Sequence, residues 1–156
     1  MERKILIAID DSENAMRALD YVASSLPKDC GITLFSVLMD TATICNMYSP
    51  ELTPYFTSQQ EVFCSLDNKK KEVVNQTLNK AKESLVAAGF DEKLIQIKAQ
   101  TMKKGVARDI IDEAHQGYDT LVMGRRGISG LKEFFLGSVS HKVLNSLKDL
   151  SIILVN

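Results

Sequence analysis

The residues best suited to chemistry form a glycine-rich stretch near the carboxyl end of the sequence. Four of the eight glycines, Gly124, Gly127, Gly130 and Gly137, fall between positions 124 and 137. The apolar residues 120–123 before it are typical of a short buried strand, and a helical pattern follows it. Because glycine lets backbone N–H groups approach a ligand and a helix N-terminus presents unpaired N–H donors, this stretch predicts a phosphate-binding loop. The alternative is a flexible turn whose glycines only permit helix–sheet packing.

Several polar residues adjoin this loop. Ser138 and Ser140 carry hydroxyls that can donate hydrogen bonds to phosphate oxygens. Arg125 and Arg126 place two positive charges where they could offset the charge of a polyphosphate. His141 could reach a terminal phosphate or face solvent, and we expect the solvent-facing arrangement.

A second polar group, Asp10-Asp11-Ser12, ends the first apolar run. Paired acids at this place also resemble a response-regulator receiver, in which they bind magnesium. That interpretation needs an acceptor aspartate after the third strand and a lysine after the fifth, and the sequence has neither. Two other nucleotide motifs are also missing, because there is no Gly-x4-Gly-Lys-(Ser/Thr) and no glycine cluster after the first strand.

Signals for dedicated catalysis are weak. No carboxylate pair, nucleophile–base pair or metal-ligand cluster can be recognised from spacing, and we expect His115 on a helix surface. The sequence therefore favours a binding protein without catalytic residues. Slow ATP hydrolysis or phosphotransfer is the enzymatic alternative.

The elements that position these residues alternate along the chain. Apolar runs predict strands at 3–9, 32–39, 94–101, 120–123 and 151–155. Helical spacing predicts helices after Ser12, which is expected to be an N-cap, over 67–88, over 106–117, and through Val139, Val143, Leu147 and Leu150. This alternation predicts one α/β domain, 1–156, with a mostly parallel, doubly wound sheet and helices on both faces.

Residues 41–66 differ from the rest. They contain no Lys or Arg, two of the three prolines, two of the three cysteines and four of the ten aromatic residues. A connection of this length is usually functional or disordered, and this one is too apolar for disorder. We interpret it as a packed lid or partner-facing segment, the alternative being a plain loop that completes the core.

Composition narrows the class of protein. Of 156 residues, 45% are hydrophobic, and 19 basic against 20 acidic residues give a net charge of −1, which disfavours general nucleic-acid or membrane binding. No apolar run approaches the roughly 18 residues of a membrane span, and the N-terminus lacks the layout of a signal peptide. Cys30, Cys45 and Cys64 are expected to be reduced, buried small hydrophobes. These features together predict a cytoplasmic protein.

The glycine spacing carries a more specific resemblance. Gly124-x2-Gly127-x9-Gly137-Ser138 matches without a gap the Gly-x2-Gly-x9-Gly-(Ser/Thr) signature of the ATP-binding class of universal stress proteins. The resemblance covers the whole chain, including the first strand with Asp10, the strand before the loop and the final strand at 152–155. It implies a Rossmann-like, adenine nucleotide alpha hydrolase-like fold whose five parallel strands follow the order 3-2-1-4-5.

The resemblance also implies roles for individual residues. Asp10 and the backbone of Ala8 would contact the adenosine, and Val37 would line the adenine pocket. Met123 and Gly124 would border the ribose. The phosphates would be held by a set of loop and helix residues: Gly127, Gly137, Ser138, Val139 and Ser140. Ala8 departs from the family where some members have proline, and Arg125-Arg126 occupies a gap that often holds one basic residue or none.

The function implied by the resemblance is that of a regulatory stress-response protein that binds ATP or AMP, with Mg²⁺ or Mn²⁺ on the phosphates. A homodimer through the last strand, 151–155, is also implied, and an exposed apolar sheet edge would favour such pairing. Nucleic acid and membranes are not expected partners. An interaction module with no nucleotide remains the alternative from another class.

Overall fold

The computed structural model describes residues 2–10, 12–46, 54–125 and 136–156. Five strands, β1 (Lys4–Ala8), β2 (Gly31–Leu38), β3 (Ile95–Thr101), β4 (Thr120–Gly124) and β5 (Ser151–Val155), form one sheet. Their order is β3-β2-β1-β4-β5 and every neighbouring pair is parallel, which confirms the predicted fold and strand order. Strand order reverses between β1 and β4, so the carboxyl ends of these two strands flank the switch point.

Within the described residues, five α-helices connect the strands. They are α1 (Glu13–Ser25), α2 (Ala42–Cys45), α3 (Pro54–Ala87), α4 (Val106–Ala114) and α5 (Ser138–Ser146), with a 3₁₀ turn at Glu92–Leu94. The Ser12 hydroxyl accepts a hydrogen bond from the Ala15 amide at 3.2 Å, so the predicted N-cap of α1 is confirmed. None of the described helices is both long and apolar enough to span a membrane.

The sheet is covered by an apolar layer on each face. One layer packs α1 and α3 on the sheet through Leu19, Val22, Leu78 and Leu85. The other packs α4 and α5 on the opposite face, with Ile110 and Val143 among its members. Apolar burial on both faces explains why β1 and β2 are nearly continuous apolar runs rather than alternating ones.

The third helix begins earlier than predicted. The expected start at 67 is wrong, because α3 already begins at Pro54, and α2 occupies part of the expected 41–66 connection. Proline suits the first turn of a helix, where its missing N–H is not needed. The 34 residues of α3 span about 50 Å, whereas the eight residues of β2 span about 26 Å. The first half of α3 therefore extends past the sheet, and its described side chains form no buried face that would impose a helical apolar pattern.

The last helix is shorter than predicted. It ends at Ser146, so Leu147 caps it and Leu150 lies in the connection to β5. Both leucines still pack into the layer that holds α4 and α5. The leucines recur at helical spacing because they are buried in this layer, although the backbone at Leu147 and Leu150 is no longer helical. The predicted helix was therefore too long.

Candidate functional site

A cavity of about 590 Å³ opens at the carboxyl edge of the sheet, above the switch point. This volume lies in the range of small-molecule sites, which are characteristically apolar with a few polar groups. The cavity brings together nine of the ten residues predicted to bind a ligand. These nine are Ala8, Asp10, Val37, Met123, Gly124, Gly137, Ser138, Val139 and Ser140. The tenth, Gly127, lies outside the described residues.

Apolar side chains form much of the cavity wall. Val37 and Met123 come from the ends of β2 and β4, and Met102 follows β3. Val106 and Ile110 are added by α4. Such a wall suits a flat, weakly polar ring, because burying apolar surface on both partners is favourable.

Asp10 places a carboxylate in the cavity directly after β1. Its Oδ1 atom accepts a hydrogen bond from the Ser12 amide at 2.8 Å, so the carboxylate is oriented by the turn that starts α1. The Ile9 amide donates to the Phe35 carbonyl oxygen at 2.8 Å and holds the end of β1 beside β2. A carboxylate fixed in this way can accept hydrogen bonds from ligand hydroxyl or amine groups.

The N-terminus of α5 supplies donors to the cavity. Gly137 is the N-cap and has no side chain to satisfy the first N–H groups of the helix, which belong to Ser138, Val139 and Ser140. These groups carry the positive end of the helix dipole, so they favour an anion. The Gly137 amide itself donates to the Arg125 carbonyl oxygen at 3.1 Å and fixes the helix start.

The two serines of this helix differ. Ser138 is exposed, whereas Ser140 is buried and its hydroxyl donates to the Gly124 carbonyl oxygen at 3.0 Å. That bond ties α5 to the end of β4. The Ser140 side chain therefore positions the helix, while its backbone N–H remains one of the donors at the helix start.

Gly124 has a packing role that the sequence does not reveal. A Cβ atom built at this position would lie 2.7 Å from the Cβ of Asn14 and 2.8 Å from its carbonyl carbon. The end of β4 thus lies directly against the first turn of α1. Glycine is required here for close approach of two elements of the protein itself, in addition to any approach to a ligand.

Contrary to prediction, Arg125 does not lie where it could offset the charge of a polyphosphate in the cavity. The Arg125 amide donates to the Val155 carbonyl oxygen at 2.7 Å, and its Nη2 atom donates to the Asn156 side chain at 2.9 Å. Arg125 is thus directed to the end of β5 and does not line the cavity, while Arg126 lies outside the described residues. His141 is exposed, within 3.3 Å of the Asn145 amide nitrogen, and His115 is exposed at the end of α4. Both histidines lie on the surface, as expected.

Helix α3 contributes a wall to the cavity that was predicted only in part. Phe63 and Leu66 fall in the 41–66 segment that was interpreted as a packed lid or partner-facing segment, whereas its other cavity residues were not predicted. Six of its residues line the cavity: Phe63, Leu66, Asp67, Lys70, Lys71 and Val74. The lack of Lys and Arg over 41–66 and the lysine run 69–71 were available as signals. They could not be assigned to the site because only the tertiary structure places α3 over the carboxyl edge.

A polar cluster holds this part of α3 to Thr41, the residue directly before α2. The buried Thr41 hydroxyl donates to the Asp67 Oδ2 atom at 2.5 Å, and Lys71 lies 3.0 Å from the same oxygen. The hydrogen bond from Thr41, with a further contribution from Lys71, lowers the pKa of the Asp67 carboxyl below its usual value. Asp67 is therefore ionised at neutral pH and pairs with Lys71, and the exposed Lys70 also lines the cavity.

The cysteines correct one prediction. Cys45 of α2 and Cys64 of α3 form a disulfide, so the expectation of three reduced, buried cysteines is wrong for these two. The physical reason is proximity, since their Cα atoms lie 5.8 Å apart although 19 residues separate them along the chain. Cys30 is free and buried, as predicted, and burial raises the pKa of its thiol.

The described part of the chain can be compared with the ligand sets that hold metal ions in proteins. No group of three or more His, Cys, Asp and Glu side chains that could hold a metal ion occurs among those residues. Magnesium is commonly held by one or two carboxylates together with substrate phosphates. The donors in the cavity, the Asp10 carboxylate and the Ser138 hydroxyl among them, fit a cation that arrives bound to phosphates.

Comparison with known proteins identifies relatives over nearly the whole chain. The family model of the universal stress protein family matches residues 1–148. Among individual proteins, universal stress protein YxiE of Bacillus subtilis is 33% identical over 144 residues, which is 92% of each chain.

Solved structures share the architecture. Hypothetical protein MJ0577 is 26% identical with a TM-score of 0.70, covering 99% of this chain and 96% of its own. Universal stress protein UspA from Lactobacillus plantarum is 18% identical with a TM-score of 0.71, covering 99% and 97%. A universal stress protein in complex with cAMP is 18% identical with a TM-score of 0.62, also covering 99% and 97%.

Proposed function

This chain belongs to the universal stress protein family, and from that premise we propose that its cavity binds an adenine nucleotide, ATP or AMP. One observation carries the proposal. Nine of the ten residues expected to bind nucleotide, drawn from four separate parts of the chain, line the same cavity. One end of that cavity carries the N-terminus of α5, and apolar side chains form much of its wall.

The proposed roles follow the chemistry of each part. Ala8, Asp10 and Val37 contact the adenosine, and Met123 and Gly124 border the ribose. The phosphates are held by Gly127 together with the start of α5, namely Gly137, Ser138, Val139 and Ser140. For Ser140, the contribution comes from its backbone N–H, since its hydroxyl already donates to Gly124. Mg²⁺ or Mn²⁺ would accompany the phosphates and neutralise part of their charge.

We propose a regulatory binder in the cytoplasm, with no nucleic-acid or membrane partner, rather than a dedicated enzyme. A general base for phosphoryl chemistry would have to reach the cavity. His141 is the histidine nearest in sequence to the α5 donors, and it lies outside the cavity lining beside Asn145. ATP turnover followed over hours distinguishes the two classes, since turnover lost in His141→Ala would favour the enzymatic alternative.

Direct binding tests the proposal. The purified chain is titrated calorimetrically with ATP, AMP, cAMP and GTP, each with and without Mg²⁺. Comparing ATP with GTP tests the contribution of the base, and comparing ATP with AMP tests that of the phosphates. The cAMP arm is included because one structural relative was solved with that ligand. We expect saturable binding of ATP and AMP and weaker binding of GTP. Absence of binding by every adenine nucleotide would contradict the proposal.

Lys70 offers a prediction that separates ATP from AMP. The residue lines the cavity from α3, so Lys70→Ala removes a positive charge from the cavity lining. Because the residue is exposed and therefore screened, we expect ATP affinity to fall about fivefold, or about 1 kcal/mol, with a smaller effect on AMP. The matched control is Lys69→Ala, which changes the same charge one residue away from the cavity lining. Equal losses in both variants would show only a general effect of net charge.

We also propose a homodimer through β5. The strand lies at the edge of the sheet, and Ile152, Ile153, Leu154 and Val155 are each only partly buried in the single chain. If the β5 strands of two chains paired, the unpaired N–H and C=O groups at the sheet edge would form hydrogen bonds and the apolar side chains of β5 would be covered. Sedimentation at micromolar concentration is expected to give twice the 17.3 kDa of one chain. Ile153→Lys should shift the equilibrium toward monomer, and a wild type that sediments only as monomer would contradict the dimer.

A further inference from the structure

The first half of α3 depends on contacts outside the main apolar layers. Among the side chains of this helix that the structure describes, the buried ones, Leu78, Ala81 and Leu85, lie in its second half. In the first half, the apolar side chains of Phe63 and Leu66 line the cavity yet stay 40% and 61% exposed. Ties to residues 41–45, which follow β2 and include α2, therefore matter for keeping this half of the helix over the cavity.

Two of those ties have been described, and they differ in chemistry. Thr41 and Lys71 bind Asp67 non-covalently, while the disulfide joins Cys64 to Cys45 of α2 one turn earlier along α3. Cys64 does not line the cavity itself but directly follows the cavity residue Phe63, so the covalent tie holds the turn of α3 that carries Phe63. Both cysteines are partly exposed to solvent.

We propose that the Cys45–Cys64 pair is a redox switch that sets how firmly α3 closes the cavity. In the oxidised state the disulfide holds α2 and the first half of α3 together at the cavity wall. In the reduced state this half of α3 separates more readily, and the bound ligand loses the contacts with Phe63 and Leu66. In the cytoplasm, the location proposed above, a disulfide is characteristically transient or redox-sensing, which agrees with a regulatory use.

The chemical step is thiol–disulfide exchange with a dithiol. A thiolate of the dithiol attacks one sulfur, and the bond between the Cys45 and Cys64 sulfur atoms breaks as a mixed disulfide forms. The second thiolate of the dithiol resolves the mixed disulfide. The protein gains two electrons and two protons, and the dithiol leaves as its own disulfide.

The expected effect of the disulfide on ATP affinity rests on the proposed nucleotide function. Its expected effect on how readily the first half of α3 separates from α2 does not. We expect the oxidised protein to bind ATP about tenfold more tightly than the reduced protein, which is within the usual range of coupling between two sites. Coupling is reciprocal, so saturating ATP should favour the disulfide by the same factor. For a two-electron couple, tenfold corresponds to a shift of about 30 mV in reduction potential.

The experiment compares three proteins in oxidised form and after dithiothreitol treatment. They are the wild type, Cys45→Ser/Cys64→Ser, and the control Cys30→Ala, which alters the buried free cysteine and keeps the pair. Hydrogen exchange over residues 54–66 and ATP titration are measured on each. Wild type and Cys30→Ala should show exchange about tenfold faster and weaker ATP binding after reduction. The double variant should behave like reduced wild type under both conditions.

The outcomes separate the two proposals. If no state binds ATP but exchange over 54–66 still responds to dithiothreitol, the nucleotide function fails and the redox switch stands. If oxidised and reduced wild type exchange alike over 54–66, the redox switch is overturned whatever the affinity for ATP. If hydrogen exchange over 54–66 differs between oxidised and reduced wild type but their ATP affinities are equal, the proposed effect of the disulfide on ligand binding is overturned.

Discussion

Replacing Gly137 with valine is expected to weaken ATP binding about a hundredfold while the protein remains folded. Gly137 is buried at the N-cap of α5, and its backbone angles, φ −58° and ψ 153°, are allowed for any residue. A branched side chain in the cavity lining would keep phosphate oxygens from reaching the N–H groups of Ser138, Val139 and Ser140. Losing two charge-assisted hydrogen bonds costs about 3 kcal/mol, which is about a hundredfold in affinity.

Graded variants show whether the loss is steric. Gly137→Ala should weaken ATP binding less than Gly137→Val, since it adds a single methyl group. His141→Ala, one turn along the same helix and outside the cavity lining, should leave affinity unchanged. Isothermal titration gives the affinities, and circular dichroism with a thermal scan confirms the fold. A folded Gly137→Val protein with wild-type affinity would refute phosphate binding at the start of α5.

Gly124→Ala is expected to have the largest effect on stability. The added Cβ atom would lie 2.7 Å from the Asn14 Cβ and 2.8 Å from the Asn14 carbonyl carbon, so backbone has to move. Overpacking of this kind costs about 2–3 kcal/mol. For a chain of this size each kcal/mol lowers the melting temperature by about 2–4 °C, so a fall of about 5–10 °C is expected. Because Gly124 also lines the cavity, ligand affinity should fall as well.

Gly31→Ala is the matched control for this prediction. Gly31 begins β2, and a Cβ atom there would meet its nearest neighbours at 3.8 and 3.9 Å, which is ordinary van der Waals contact. The same chemical change should therefore leave the melting temperature within about 2 °C of wild type. Thermal unfolding of both variants measures the difference. Equal effects of the two alanines would show that contact with Asn14 does not explain Gly124.

Local patterns were sufficient for most of the architecture. Burial in the core explains the apolar runs at β1, β2 and β4 and the helical spacing of apolar residues in α1 and α4. Such burial produces a pattern among residues close together in sequence, which prediction can detect. The strand order was implied by the family resemblance, which the glycine spacing carried, and the structure confirmed it. Prediction failed at the start of α3, where the helix leaves the sheet and its sequence loses the apolar period.

The sequence by itself therefore determined the alternation of strands and helices, the place of the glycine loop after β4 and the residues grouped around it. Only the tertiary structure decided that α3 forms a wall of the cavity, that Cys45 and Cys64 meet, and that Gly124 lies against Asn14. The physical reason is distance along the chain. Thr41 and Asp67 are 26 residues apart and the two cysteines 19, whereas propensity and periodicity act between residues only a few positions apart.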